Sequence, residues 1–231
     1  MLPRVTLYNE ISLDGRIEGL QVDVGRFYRL SFRWHADAIL VGSRTAQSFG
    51  PSEPAEERAC ELPAPAHEPL YPGFEDLVYE PRPIIAIPDS RGQVLNWQAI
   101  HAQPWYRDPV AIVSRATPPD YRDYLKRRRV ATITAGDDHV DLRAALEELH
   151  ERFGVRAILT DCGGGLNGAL LQAGLVDEVA LILNPSLVGD LSAQTVYRPP
   201  DAPGEAILLR LLDVERFDDG ALWLRYAVVH S

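Results

Sequence analysis

Thr160-Asp161-Cys162-Gly163-Gly164-Gly165-Leu166-Asn167-Gly168-Ala169-Leu170-Leu171, followed by Gly174-Leu175-Val176-Asp177-Glu178-Val179, is the stretch on which the fold turns. The apolar run Val155 to Leu159 enters three consecutive glycines, and a short helical pattern leaves them. Glycine admits positive φ and lets a ligand approach the backbone closely. The unpaired N–H groups and the dipole at the next helix start favour an anion. With strands expected at Val155–Leu159 and Val179–Leu183, the segment reads as a βαβ unit carrying a phosphate cradle.

Outward from this unit the chain alternates strand and helix patterns. Strands are expected at Val5–Ile11, Ala36–Val41, Ile84–Ile87 and Val110–Val113. Helices are expected at Arg26–Trp34, from near Thr45, at Pro119–Arg129 and at Asp141–Phe153. The last is the clearest: Asp141 suits an N-cap, Leu142, Leu146, Leu149 and Phe153 form one stripe, and Gly154 stops it. Asp218-Asp219-Gly220 between Ile207–Phe217 and Ala221–Val229 signals an antiparallel hairpin. Between Pro51 and Pro83 eight prolines in 33 residues argue for a long surface excursion rather than a linker. The run Lys126-Arg127-Arg128-Arg129 reads as a solvated helix end. An α/β fold follows, with a mixed, mostly parallel sheet flanked by helices and a single domain over residues 1–231.

Composition narrows the function. A net charge of −10 argues against non-specific nucleic-acid binding, which needs cationic surface. Two cysteines, Cys60 and Cys162, provide neither a disulfide framework nor a four-cysteine zinc site. Histidines do not pair at ligand spacing, so no metal is expected. With no membrane-length apolar run and no secretory core, the expected location is cytoplasmic.

Ordered blocks then carry a resemblance. They are Ser12-Leu13-Asp14-Gly15-Arg16, Arg33 with Asp37-Ala38-Ile39-Leu40-Val41-Gly42, Thr45, the block Asp161 to Asn167, Gly174 to Glu178, and Asn184-Pro185-Ser186-Leu187-Val188-Gly189. Together they resemble the reductase domain of riboflavin biosynthesis, within the dihydrofolate-reductase-like superfamily. The resemblance implies an NADPH-dependent reductase that reduces 2,5-diamino-6-ribosylamino-4(3H)-pyrimidinone 5′-phosphate at the sugar C1′. It implies cofactor binding by Gly42, Thr45, Gly163, Gly164, Gly165 and Leu166, and substrate contact by Arg33 and Asp161. It also implies a homodimer with a small-molecule substrate. The His-x-Glu and Pro-Cys-x-x-Cys patterns of the deaminase often fused to such domains do not occur in these residues, so no deaminase activity is expected.

Individual side chains carry alternatives. Asp14 is the candidate catalytic residue, supplying or orienting a proton, or else it stabilises its own turn. The hydroxyl of Thr45 meets a phosphate or caps a helix. Asp161 stands where the family has a glutamate, one methylene longer, and Cys162 where a small residue is usual; a buried, space-filling thiol is expected there. Two regions depart from the family. After Thr45 the usual Asp-Asp-Pro-x-Leu-Thr-x-Arg, with its phosphate-holding arginine, is replaced by Ala46-Gln47-Ser48-Phe49-Gly50-Pro51-Ser52-Glu53. The stretch from Gly15 to Arg33 is short and lacks a serine-rich turn. The cofactor half is kept and the substrate half changed, which leaves open a same-fold reductase with another substrate, or a non-catalytic nucleotide-binding protein.

Overall fold

The computed structural model describes residues 1–64, 70, 72–192, 194–198 and 206–229, so residues 65–69 and 71 of the proline-rich excursion lie outside the described set. In chain order the elements begin β1 (Arg4–Ser12), α1 (Val24–Ser31), β2 (Ala38–Leu40), α2 (Ser43–Gln47), β3 (Ile84–Pro88), α3 (Trp97–His101) and β4 (Pro109–Val113). They continue with α4 (Pro119–Arg128), β5 (Ala131–Thr134), α5 (Leu142–Phe153), β6 (Ala157–Thr160), α6 (Gly164–Gln172), β7 (Glu178–Asn184), β8 (Leu209–Arg216) and β9 (Leu222–Val228).

Two compact units result: residues 1–3 with 35–158, and residues 4–34 with 159–231. In the first, the strand order is β5-β4-β3-β2, all parallel. Strands β3 and β4 are buried nearly end to end, as expected for parallel strands covered on both faces. Their side chains Ile85, Ile87, Ala111 and Val113 pack with Trp97 of α3 and with Tyr121, Tyr124 and Leu125 of α4. In the second unit the order is β1-β7-β9-β8, with β1 and β7 parallel and β9 antiparallel to both β7 and β8. Strand β6 belongs to both, its first two residues to one unit and its last two to the other. This mixed, mostly parallel arrangement with a C-terminal antiparallel pair is the expected dihydrofolate-reductase-like class.

Local chemistry explains the boundaries. Asp141 caps α5 by accepting from the N–H of Ala144 at 3.1 Å, and Gly154 ends it at φ 71°. Asp23 caps α1 in the same way through Arg26 N–H, and the chain continues as a 3-10 turn at Phe32–Trp34. Strand β5 and helix α3 escape the sequence reading. The first is four residues long and only partly buried, and the second has five residues, too few to display a helical period.

The basic run ending α4 differs from expectation. Arg128 is buried, its guanidinium donating to the carbonyls of Glu57, Cys60 and Glu61 and pairing with Glu53 at 3.0 Å. Tyr124 also donates to Glu53, at 2.9 Å. The start of the proline-rich excursion is therefore anchored, because a buried cation needs every one of these acceptors. Among the described residues, no helix is long and apolar enough to cross a membrane.

Candidate active site

The C-terminal ends of β1, β6 and β7 carry most of the residues singled out by sequence, all within the second unit. At the end of β1, Asp14 is fully engaged. Its Oδ1 accepts from Ser12 Oγ (2.7 Å) and Val188 N–H (3.0 Å), and its Oδ2 from Gly189 N–H (2.7 Å). Arg16 lies 3.8 Å from it. Leu13 N–H adds a bond to Ser186 O at 2.9 Å, so the turn after β1 is stapled to the loop after β7. These donors, Val188 first, hold the Asp14 carboxyl well below the ordinary carboxylate range. Such a group keeps no proton to donate near neutral pH, and the bonds support the turn-stabilising alternative.

Asp161, at the end of β6, is the opposite case. Its side chain has no partner beyond its own backbone among the described residues, and it is exposed. Protein nevertheless crowds it enough that lost hydration raises its carboxyl pKa. The carboxyl nonetheless keeps a solvent-accessible face. A small molecule can touch it there.

What fixes Asp161 is a buried amide pair that the sequence reading missed. Asn167 Nδ2 donates to Asn9 Oδ1 (3.0 Å), Cys162 O (2.9 Å) and Val196 O (3.0 Å), and Asn9 Nδ2 donates to the same Cys162 carbonyl at 3.0 Å. The backbone just after Asp161 is thus tied to β1 on one side and α6 on the other. The signal was present: Asn9 and Glu10 are strongly polar residues inside a strand buried at every position after Arg4, and buried polar groups require partners. Cys162 itself is buried and in no disulfide, as expected.

The glycines divide their roles differently from the cradle pictured from sequence. None of the three has positive φ; Gly163 is the N-cap of α6 at φ −72° and ψ 168°. Gly164 is required by packing, because a Cβ there would stand 2.4 Å from Thr195 O. Gly165 faces open space, with no heavy atom within 4 Å of a built Cβ. The first turn of α6 has no acidic residue and no side-chain cap, so its N–H groups, including that of Leu166, remain free of side-chain partners. An anion fits there.

Gly42 and Thr45 lie in the first unit. Gly42 is the N-cap of α2, so Thr45 sits inside the helix and is not its cap. The Thr45 hydroxyl makes no hydrogen bond among the described residues, whereas its carbonyl accepts from Ser48. Arg33 stacks over Trp223 at 4.8 Å and pairs with Glu215 at 3.2 Å, with about half of its side chain exposed. Tyr8 is buried and donates to Phe27 O at 2.7 Å; burial first, then Glu10, raises its pKa. Glu10 accepts from Asn184 at 2.7 Å, and burial raises its pKa too.

The sequence model of the RibD C-terminal domain family matches residues 3–223. A protein of Methanothermobacter thermautotrophicus named 2,5-diamino-6-ribosylamino-4(3H)-pyrimidinone 5′-phosphate reductase is 31% identical over 91% of this chain and 92% of its own. One of the same name from Archaeoglobus fulgidus is 30% identical over 95% and 96%. Among solved structures, a pyrimidine reductase-like protein of Corynebacterium diphtheriae has TM-score 0.66 at 18% identity, covering 99% of this chain and 93% of its own. The riboflavin biosynthesis reductase of Saccharomyces cerevisiae has TM-score 0.63 at 22% identity, covering 99% and 90%.

Proposed function

The chain belongs to the RibD C-terminal domain family, and from that premise we propose that it is the reductase of riboflavin biosynthesis that acts on 2,5-diamino-6-ribosylamino-4(3H)-pyrimidinone 5′-phosphate. The observation that supports this most is the match along nearly the whole length to two relatives of that name. One family model spans both compact units, so we read them as parts of one reductase domain.

NADPH is the reductant in this reading and supplies a hydride. Gly165 and the first-turn N–H groups of α6 fit its phosphates, because a Cβ at Gly165 would meet only open space and the first turn carries no acidic residue. The family resemblance also assigns cofactor contacts to Gly42 and to Thr45, whose hydroxyl makes no hydrogen bond among the described residues. The acceptor is the ring-opened imine: hydride adds to C1′, the C=N bond becomes single, and the nitrogen takes one proton. Asp161 is the group we assign to that proton. It is solvent-accessible, it has no partner beyond its own backbone among the described residues, and lost hydration raises its carboxyl pKa, which favours the acid form. Asp14 holds the turn after β1 against the loop at 186–189. Arg33, already engaged by Trp223 and Glu215, would meet substrate only through its remaining exposed edge.

A homodimer is part of the proposal. Strand β8 ends the strand order and exposes Leu209, Leu211, Leu212 and Val214, two of them by more than half (51% and 53%). An unpaired apolar edge of this kind invites a second strand. Cytoplasmic placement goes with the biosynthetic reading.

A second reading, the same fold with another substrate, is favoured by the segment after Thr45. Asn96 holds the carbonyls of Ala46 and Gly50, and Glu53 is buried with Arg128, so this segment is committed to packing and offers no arginine to a substrate phosphate. Turnover of the ribosylamino-pyrimidinone phosphate, followed by loss of reduced-nicotinamide absorbance, separates the readings. Oxidation of NADPH is expected with this substrate; tight NADPH binding without turnover would favour the second reading.

A further inference from the structure

Residues 194–198 cross the start of α6 and are tied down along their length. Ile17 N–H donates to Gln194 O (3.2 Å), Thr195 bridges Arg16, Val196 O accepts from Asn167 (3.0 Å), and Arg198 N–H donates to Gly164 O (3.0 Å). The crossing is close enough that a Cβ on Gly164 would also stand 3.1 Å from the Cβ of Arg198. The Arg198 side chain therefore leaves the backbone directly beside the glycines. It is exposed and has no ion-pair or hydrogen-bond partner among the described residues. Arg16, Arg26, Arg33 and Arg225 of the same unit each face a carboxylate.

A second observation points to a polar ligand at this place. Thr160, which precedes the loop, is fully buried, yet its Oγ1, able to donate, has no partner among the described residues. Buried polar atoms are rarely left so. A cation beside uncapped helix N–H groups, with space in front of Gly165, has the chemistry of a phosphate clamp.

We propose that Arg198 is a phosphate-binding residue, its guanidinium pairing with a phosphate group seated at Gly163–Leu166. This rests on the reading that a phosphorylated ligand occupies that loop. The phosphate has two sources, the diphosphate of the dinucleotide or the 5′-phosphate of the substrate, and each has its own assay. NADPH dissociation constants and the substrate KM are measured for wild type, Arg198→Ala, Arg198→Lys and Gly165→Val, each checked by its thermal midpoint. Because the backbone N–H of Arg198 anchors the crossing, Arg198→Ala should keep its midpoint.

Loss of one charged hydrogen-bonding partner should weaken binding about 10- to 100-fold. A weaker NADPH affinity identifies the cofactor diphosphate, and a raised substrate KM with normal NADPH affinity identifies the substrate phosphate. Arg198→Lys should recover part of the loss, and added salt should weaken wild type more than Arg198→Ala. Unchanged constants in Arg198→Ala beside damaged NADPH binding in Gly165→Val would overturn the role of Arg198 alone. A wild-type protein that binds no NADPH would overturn the underlying reading, and this proposal with it.

Discussion

Asp14 and Asp161 stand just beyond the ends of β1 and β6 in the same unit, and both fall in the sequence blocks that suggested the family, yet their surroundings are opposite. Asp14 spends both oxygens on Ser12, Val188 and Gly189. Asp161 spends its side chain on nothing beyond its own backbone among the described residues, while the carbonyl next to it is held by two asparagines. A carboxylate that satisfies backbone donors acts as a structural fastener. One whose backbone is fixed and whose side chain is unengaged is prepared for chemistry. The difference shows that a motif position does not define a role; the hydrogen-bond partners do.

Substitution at Asp161 should have the largest effect. Asp161→Asn removes the proton but keeps the shape, and the reduction rate should fall about 10²- to 10⁴-fold, the usual worth of a general acid. NADPH affinity should change little. A rate near wild type would break the contrast outright.

The glycines give the next test. Gly164→Ala puts a Cβ against Thr195 O and should cost about 1–3 kcal/mol of stability, read by denaturant unfolding. A Cβ at Gly165 meets no protein atom within 4 Å, so Gly165→Val should keep the fold and lose NADPH binding. Equal stability losses in the two variants would contradict the division between a packed and a ligand-facing glycine.

Asp14→Asn should act more weakly on the rate than Asp161→Asn, and more on stability. The amide keeps the acceptor for Ser12 and Val188 but opposes the Gly189 N–H with another donor. Its thermal midpoint should drop near neutral pH. Because the folded-state pKa of Asp14 is lowered, this contribution is present above the ordinary carboxylate pKa and fades as pH falls towards the folded value, so the variant and wild type should converge in acid.

Asp161 should show the reverse and the smallest shift. A raised folded-state pKa means that folding favours its proton, so its cost to stability appears as pH rises through that value. Asp161→Asn should then be slightly more stable than wild type near neutral pH and equal to it in acid. A fall in stability near neutral pH would mean that Asp161 has a partner after all.

Much of the fold was legible because the core strands are short apolar runs between turn residues, and α5 carries both its caps. Strand β5 and helix α3 were hidden by their shortness. The burial of Arg128 was hidden for another reason: a run of four basic residues looks solvated, and its acceptors are carbonyls of a proline-rich segment some seventy residues away in sequence, as for Glu57 at |i−j| = 71. At the candidate site, the blocks located the loop but not the work of each residue. That Gly164 serves packing and Gly165 faces space depends on residues 194–198 crossing the helix start, a tertiary fact. The engagement of Asp14 likewise depends on Val188 and Gly189, which no local pattern connects to it.

The most direct test is the pH dependence of single-turnover reduction of the ribosylamino-pyrimidinone phosphate by wild type, Asp14→Asn and Asp161→Asn. Wild type should slow as pH rises through the raised Asp161 pKa, because the acid form is then lost. Asp14→Asn should keep that descending limb, and Asp161→Asn should be slow and flat across it. A limb that survives in Asp161→Asn and disappears in Asp14→Asn would contradict the assignment.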